Sequence, residues 1–220
     1  MLILSLLLLL DLQTPGEEVL AALAKQPTPA LLKEAAEIYR YPTSEAEATR
    51  LFEAAGAATK QADPVVRVAA LRALASMGDP KAEIYLEPFL RQKNPKPDEK
   101  QALLTAIDAV GRLRIGSLIP SLLALAKTSK DPTVADQALL ALGAYAESNM
   151  RERKRLVDQV LALAQSLQRN RGRWRRLRPP ALRSLQLLTG QRLSSVELFA
   201  GWWKVAKERK DPFTPSSAGS

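Results

Sequence analysis

The stretch Asp63-Pro64-Val65-Val66-Arg67-Val68-Ala69-Ala70-Leu71-Arg72-Ala73-Leu74-Ala75-Ser76-Met77-Gly78 decides the fold. Its apolar residues recur at i, i+3, i+4, i+7 and i+8, which draws one stripe along an α-helix. Asp63 is placed to accept bonds from the free amides of the first turn, and Pro64 presets the helical φ where no amide donor is needed. Gly78 supplies an easy C-terminal stop.

The pattern returns downstream. Lys96-Pro97-Asp98-Glu99 leads through Leu103, Leu104, Ile107 and Val110 to Gly111, the predicted stop of a second such helix. Asp131-Pro132-Thr133-Val134 leads to Ala138, Leu139, Leu142 and Tyr145. Leu71, Leu104 and Leu139 then correspond, as do Leu74, Ile107 and Leu142, and Met77, Val110 and Tyr145, at offsets of 33 and 35 residues. A second stripe follows each helix: Ile84, Leu86, Phe89 and Leu90; Leu118, Ile119, Leu122 and Leu123; Leu156, Val157, Val160 and Leu161. Each unit is therefore a helix pair, which buries its apolar faces only against its neighbours. Residues 28 to 40 and 44 to 61 read as another pair, with Ser44 capping and Leu51, Phe52, Ala55 and Ala58 inward. Past the array, Pro179-Pro180-Ala181-Leu182 opens a helix ending in Leu187-Leu188-Thr189-Gly190. A last helix runs from Ser194 or Ser195 through Phe199, Trp202 and Trp203.

The stretch from Asp63 to Pro80 resembles the first helix of a HEAT repeat, in which an Asp-Pro start, an inward Arg or Lys, small Ala contacts and a terminal Gly-Asp recur. The three aligned units cover residues 63 to 168. The second has Glu99 in place of Val66, and the third has Ala135 in place of Arg67 and Ala146 in place of the glycine. The sequences Leu185 to Gln191 and Phe199 to Lys204 together resemble a C-terminal unit of bacterial HEAT-repeat proteins, where a Leu-Thr-Gly turn precedes a helix with paired tryptophans. Arg192-Leu193-Ser194-Ser195 stands where that unit usually has an acidic loop.

The resemblance implies an all-α protein, a right-handed α-α superhelix or HEAT-like solenoid of about five helix pairs. Residues 25–168 would be the repeats, 169–178 an Arg-rich loop, 179–211 a capping helix pair and 212–220 a disordered tail. It implies a scaffold whose partner is a protein, bound over a surface lined by the second helices. Helical solenoids of this class also include DNA-binding members.

Histidine and cysteine are both absent, which removes Ser-His-Asp and Cys-His catalysis, His or Cys zinc sites, disulfides and thiol chemistry. Carboxylate chemistry is what remains. Glu34 with Glu37, and Glu45 and Glu47 with Glu53, read as ordinary glutamates on polar helix faces. No nucleotide-binding, EF-hand or metalloprotease motif occurs. The expectation is a noncatalytic protein without metal or cofactor.

Residues 2 to 10 are leucine and isoleucine save Ser5, a run ending at Asp11. It is too short to span a bilayer, which takes about 20 apolar residues, and it matches the apolar core of a secretory signal. Residues 1–24 are expected to be a signal peptide or an apolar N-terminal segment, with Ala22-Leu23-Ala24 the A-x-A-like site. Export to the periplasm or cell envelope is the expectation, a cytoplasmic protein the alternative.

The formal charge is +9, but residues 1 to 150 hold 16 basic and 18 acidic side chains while residues 151 to 220 hold 16 and 5. The sharpest cluster is Arg169, Arg171, Arg173, Trp174, Arg175, Arg176 and Arg178. Arginine forks suit phosphate, sulfate or carboxylate and an indole stacks on a base or sugar, so this segment is the candidate polyanion or partner contact. Nucleic acid is a candidate only in the cytoplasmic case. The competing reading is a solvated loop, with Trp174 packed under the array and the arginines paired to the acidic N-terminal half. Arg151, Arg153, Lys154 and Arg155 open the preceding helix, where positive charge opposes the macrodipole. Phe199, Trp202 and Trp203 fit packing at the end of the array better than ligand stacking.

Overall fold

The computed structural model describes residues 14–92 and 95–213. Among them the chain is all-helical, with helices packed against their neighbours in sequence order and no strand. It divides into two compact units, residues 1–85 and 86–220.

The first unit contains α1 (Pro15–Lys25), α2 (Pro29–Ile38), α3 (Glu45–Ala58) and α4 (Pro64–Met77). Thr14, Thr28, Ser44 and Asp63 cap them, each side chain accepting a first-turn amide. Helix α2 packs on α4 and α1 on α3. Leu32, Ala35, Leu51, Ala55, Leu71 and Leu74 are fully buried between them. Gly78 closes α4 at φ 77°, a left-handed stop. Arg67 Nη1 donates to the carbonyls of Gln61 and Ala62 at 3.0 and 2.9 Å. The motif arginine thus ties down the turn leading into its own helix.

Glu47 is not the surface glutamate expected from its place on a polar face; it is 3% exposed. Its carboxylate accepts from Thr14 Oγ1 at 2.6 Å, from the Thr43 amide at 2.6 Å and from Thr43 Oγ1 at 2.8 Å. These bonds hold its pKa below the usual range, the Thr14 bond most. A Cβ on Gly16 would lie 2.0 Å from Glu47 Oε1, so this bracket between the starts of α1 and α3 needs glycine there. The run at residues 2 to 10 lies outside the described residues. Ala22-Leu23-Ala24 lies within α1, with Leu23 buried.

The boundary between the units falls inside α5 (Glu83–Leu90). The second unit continues with α6 (Pro97–Leu113), α7 (Ile119–Thr128), α8 (Pro132–Gly143), α9 (Met150–Gln168), α10 (Arg171–Thr189) and α11 (Val196–Ala206). First helices lie on first helices, α6 on α8 and α8 on α10; the second helices α7, α9 and α11 do likewise. Lys100, at the position equivalent to Arg67, reaches across to the next pair, its Nζ 2.6 Å from Asp131 Oδ2. That bond is the main reason the Asp131 carboxyl titrates below the usual range, against the opposing effect of burial.

Three local expectations are corrected. Gly111 does not stop its helix: α6 runs on to Leu113 and turns at Arg114, φ 53°. Gly111 instead lets α8 come close, since a Cβ there would sit 3.0 Å from Ala141 Cα. Ile84 is 65% exposed and not inward, because only Leu86 and Leu90 of its stripe face the core. The Arg-rich segment is not a loop preceding a helix at Pro179 but the first half of α10. Asn170 caps it by accepting the Arg173 amide at 3.0 Å. The buried stripe Leu177, Ala181, Leu185 and Leu188 runs unbroken past Pro179 and Pro180. Pro179 is exposed and Pro180 half-buried, so the backbone bonds they forgo are lost near the solvent side of α10.

Candidate functional site

A carbonyl at the end of a helix has no partner within that helix and lies at the negative end of the dipole, where a cation fits. In the second unit three basic side chains fill such positions on a neighbouring helix. Arg153, in the first turn of α9, donates Nε to the Leu188 carbonyl at the end of α10. Lys154 Nζ bonds the carbonyls of Lys207 and Arg209, just past α11, at 3.1 and 3.2 Å. Arg173 Nη2 bonds the Ala126 carbonyl in the last turn of α7 at 2.9 Å. The positive charge that disfavours the start of α9 is thus used at other helix ends.

Arg153 also lies over the Phe213 ring, 3.7 Å from its centroid, and that ring stacks on Trp203 at 5.7 Å. Burial lowers the Arg153 pKa, and the charge of Asp211 works the other way. Trp203 is buried and donates Nε1 to Asp158 Oδ1 at 2.7 Å, while Trp202 is half-buried. These aromatics pack, with Phe199, against α9. Pro212 is buried and Phe213 packed, so the tail starts later than expected; residues 214–220 lie outside the described residues.

The seven candidate residues separate by employment. Arg173 is half-buried and caps α7. Trp174 is half-buried. Arg176 is exposed, and its charge acts on Asp136 of α8, lowering a pKa that burial raises. Arg178 is exposed and donates Nη2 to the Ser194 carbonyl at 3.3 Å. Arg169, Arg171 and Arg175 are exposed, and among the described residues their side chains find no hydrogen-bond or ion-pair partner. Arg171, Arg175 and Arg178 stand at i, i+4 and i+7, on one face of α10. The geometry therefore gathers Arg171, Arg175 and Arg178 into a solvated basic face, leaves Arg169 exposed at the end of α9, and assigns Arg173 to the frame. The expected pairing of these arginines with acidic residues is not seen: among the described residues none of the six is in an ion pair within 4.0 Å.

Sequence reasoning missed the capping roles of Arg153, Lys154 and Arg173. The available signal was a basic residue beside a helix start, which does not say whose carbonyl it meets. Among the described residues no group of three acidic side chains is placed to hold a metal ion, and no helix is long and apolar enough to cross a membrane. Comparison with protein-family models, with curated proteins and with solved structures finds no match to this chain.

Proposed function

We propose that the chain is a noncatalytic helical-repeat scaffold of HEAT type that binds a protein partner over the surface of its stacked helices. The observation that supports this is the packing of like on like, first helix on first helix and second on second. Such stacking builds extended faces and not one enclosed pocket. A second reading, polyanion binding through Arg169, Arg171, Arg175 and Arg178, is favoured by one observation: these exposed cations lack ion-pair partners among the described residues while their neighbours are employed.

One experiment tests both. The chain is purified from its own host at low salt and washed with increasing salt. A stoichiometric protein that stays bound through high salt supports the scaffold. Nucleic acid or an acidic polymer that washes off, with a log K against log salt slope reduced by about 0.7 to 0.9 for each arginine of the face changed to alanine, supports the second reading and overturns the first. No co-purifying species overturns both.

We further propose that the protein is exported, a reading supported by the apolar run at residues 2 to 10. Reading the mature N-terminus by mass spectrometry tests it. Cleavage after Ala24 would remove α1, against which α2 and α3 pack, so a mature start upstream of Thr14 is expected.

A further inference from the structure

The first unit holds a cleft of about 490 Å³ between α3 and the segment that follows α4, with aromatic walls that the clefts between α2 and α4 and between α1 and α3 do not have. The Phe52 ring lies 6.2 Å from Tyr39 and 5.8 Å, edge-on, from Tyr85. Tyr85 can lie against α3 only because residue 56 is glycine: a Cβ there would fall 2.2 Å from the Tyr85 ring. Tyr39 is fixed by donating its hydroxyl to Asp79 Oδ2 at 3.1 Å, and Asp79 is fixed in turn by the Lys81 amide on Oδ1 at 2.8 Å. The rings are therefore held in place before anything binds.

Around this wall stand Glu45, Glu53 and Glu83, with Lys81 the one cation in the lining. Among the described residues these three glutamates have no ion-pair or side-chain hydrogen-bond partner. Nor do three acids come together as a metal-holding group there. Negative charge is spread along a rim above aromatic faces. A compact metal ion does not suit such a rim. A broad, flat cation does: a guanidinium stacks on a ring by its face and bonds carboxylates by its edge.

We infer that this cleft is a recognition site for an arginine side chain presented by a partner protein, its guanidinium against the Tyr39 and Tyr85 rings, which buried Phe52 backs, and bonded to Glu53 and Glu83. The inference deepens the protein-scaffold reading by giving the chemistry of the partner. Its test uses a small probe, so it stands or falls separately from that reading.

The chain has four tyrosines, which makes fluorotyrosine labelling of the full protein readable by fluorine NMR. Acetyl-arginine amide is titrated in, with the neutral citrulline analogue as control. Resonances of Tyr39 and Tyr85, assigned by Tyr-to-Phe substitution, are expected to shift and saturate with the arginine probe while buried Tyr145 stays fixed. Affinity is expected to fall at least about tenfold for citrulline, and by a similar factor in the Glu53→Gln/Glu83→Gln protein. Both substitutions lie on the rim and leave the helix core intact, and an unchanged circular-dichroism spectrum and urea-unfolding midpoint confirm the fold of the variant. Equal binding of citrulline, equal binding by the double variant, or no shift at Tyr39 and Tyr85 overturns the inference.

Sedimentation of the unlabelled chain separates the sources of the arginine. Self-association lost in both the Glu53→Gln/Glu83→Gln protein and an Arg171→Ala/Arg175→Ala protein makes the partner a second copy and supports the site. Self-association that survives the glutamine changes while the probe no longer binds overturns the site as the contact.

Discussion

Helix α4 starts on an aspartate cap and a proline and ends on a left-handed glycine, with Val66, Ala70, Leu71, Ala73, Leu74 and Met77 buried along one side. Helix α10 starts on Asn170 and spends its first eight residues on five arginines, a glycine, a tryptophan and Leu177. Both pack as first helices of a pair, α4 on α2 and α10 on α8. In α4 the apolar stripe is dense enough to specify the helix locally. In the first half of α10 one buried leucine, one cap and the continuity of a stripe that begins at Leu177 do the same work. A helix in a stacked array needs less of its own signal when the neighbour on which it lies is already formed.

The largest expected effects test that equivalence. Leu74→Ala should cost about 2 to 5 kcal/mol by urea unfolding of the full chain, since Leu74 is fully buried in the core of the first unit. Leu177→Ala should cost about 2 kcal/mol or somewhat more, because Leu177 is 2% exposed. A change within about 0.5 kcal/mol at Leu177 would return the first half of α10 to the status of a surface segment.

The same contrast explains what could be read before the structure. Helices α3, α4, α8 and α11 carry caps whose acceptor atoms bond the predicted amides, and their inward residues follow one period. Lys96, with no short polar side chain, begins α6 equally well, and Gly111 misled because a glycine can serve a close helix contact as readily as a stop. The composition of residues 169 to 178 reads as loop because charge and proline are loop signals, and the packing of Leu177 is a tertiary fact. The cluster itself was legible as a site. Which arginines are available was not, since Arg173 differs from Arg171 only in what lies opposite it. The aromatic cleft was invisible for a like reason: Tyr39, Phe52 and Tyr85 come from three separate segments.

Arg153 sharpens the comparison at the far end of α10, where it meets the Leu188 carbonyl, the Phe213 ring and the charge of Asp211. Arg153→Ala removes the bond to the Leu188 carbonyl and the cation over Phe213 together. A loss of about 1.5 to 3 kcal/mol is expected, the range for hydrogen bonds involving a charged group. Arg153→Lys should recover part of it, because an ammonium keeps the charge but not the planar stack. A silent Arg153→Ala would remove the capping role argued for the basic start of α9.

Arg176 and Asp136 couple α10 to α8 by charge and give a smaller effect with a definite sign. Burial raises the Asp136 pKa and the Arg176 charge lowers it. Arg176→Ala should therefore move the Asp136 carboxyl further up, as read by carboxyl carbon NMR. A carboxyl raised in the folded state binds protons more readily there than in the unfolded chain, so stability rises as pH falls from above the raised value towards the ordinary carboxylate pKa. That rise should be larger in the variant. A downward move would mean that Arg176 does not face Asp136 in solution.

The smallest stability effect belongs to the residues proposed for binding. Arg171, Arg175 and Arg178 share one exposed face of α10, and only Arg178 makes a hydrogen bond, a long one to Ser194. In the first turn the charge of Arg171 opposes the dipole, which costs a few tenths of a kcal/mol. Replacing all three with alanine adds helix propensity and removes that cost. The triple variant is expected to unfold within about 0.5 kcal/mol of the parent, or above it, while its salt-dependent attraction to a polyanion weakens. Arg173→Ala should behave in the opposite way, losing stability through the Ala126 carbonyl with little change in the salt slope. Should the triple variant lose as much stability as Arg173→Ala, the exposed face would be structural, and availability of charge would no longer distinguish the arginines that bind from those that hold the array together.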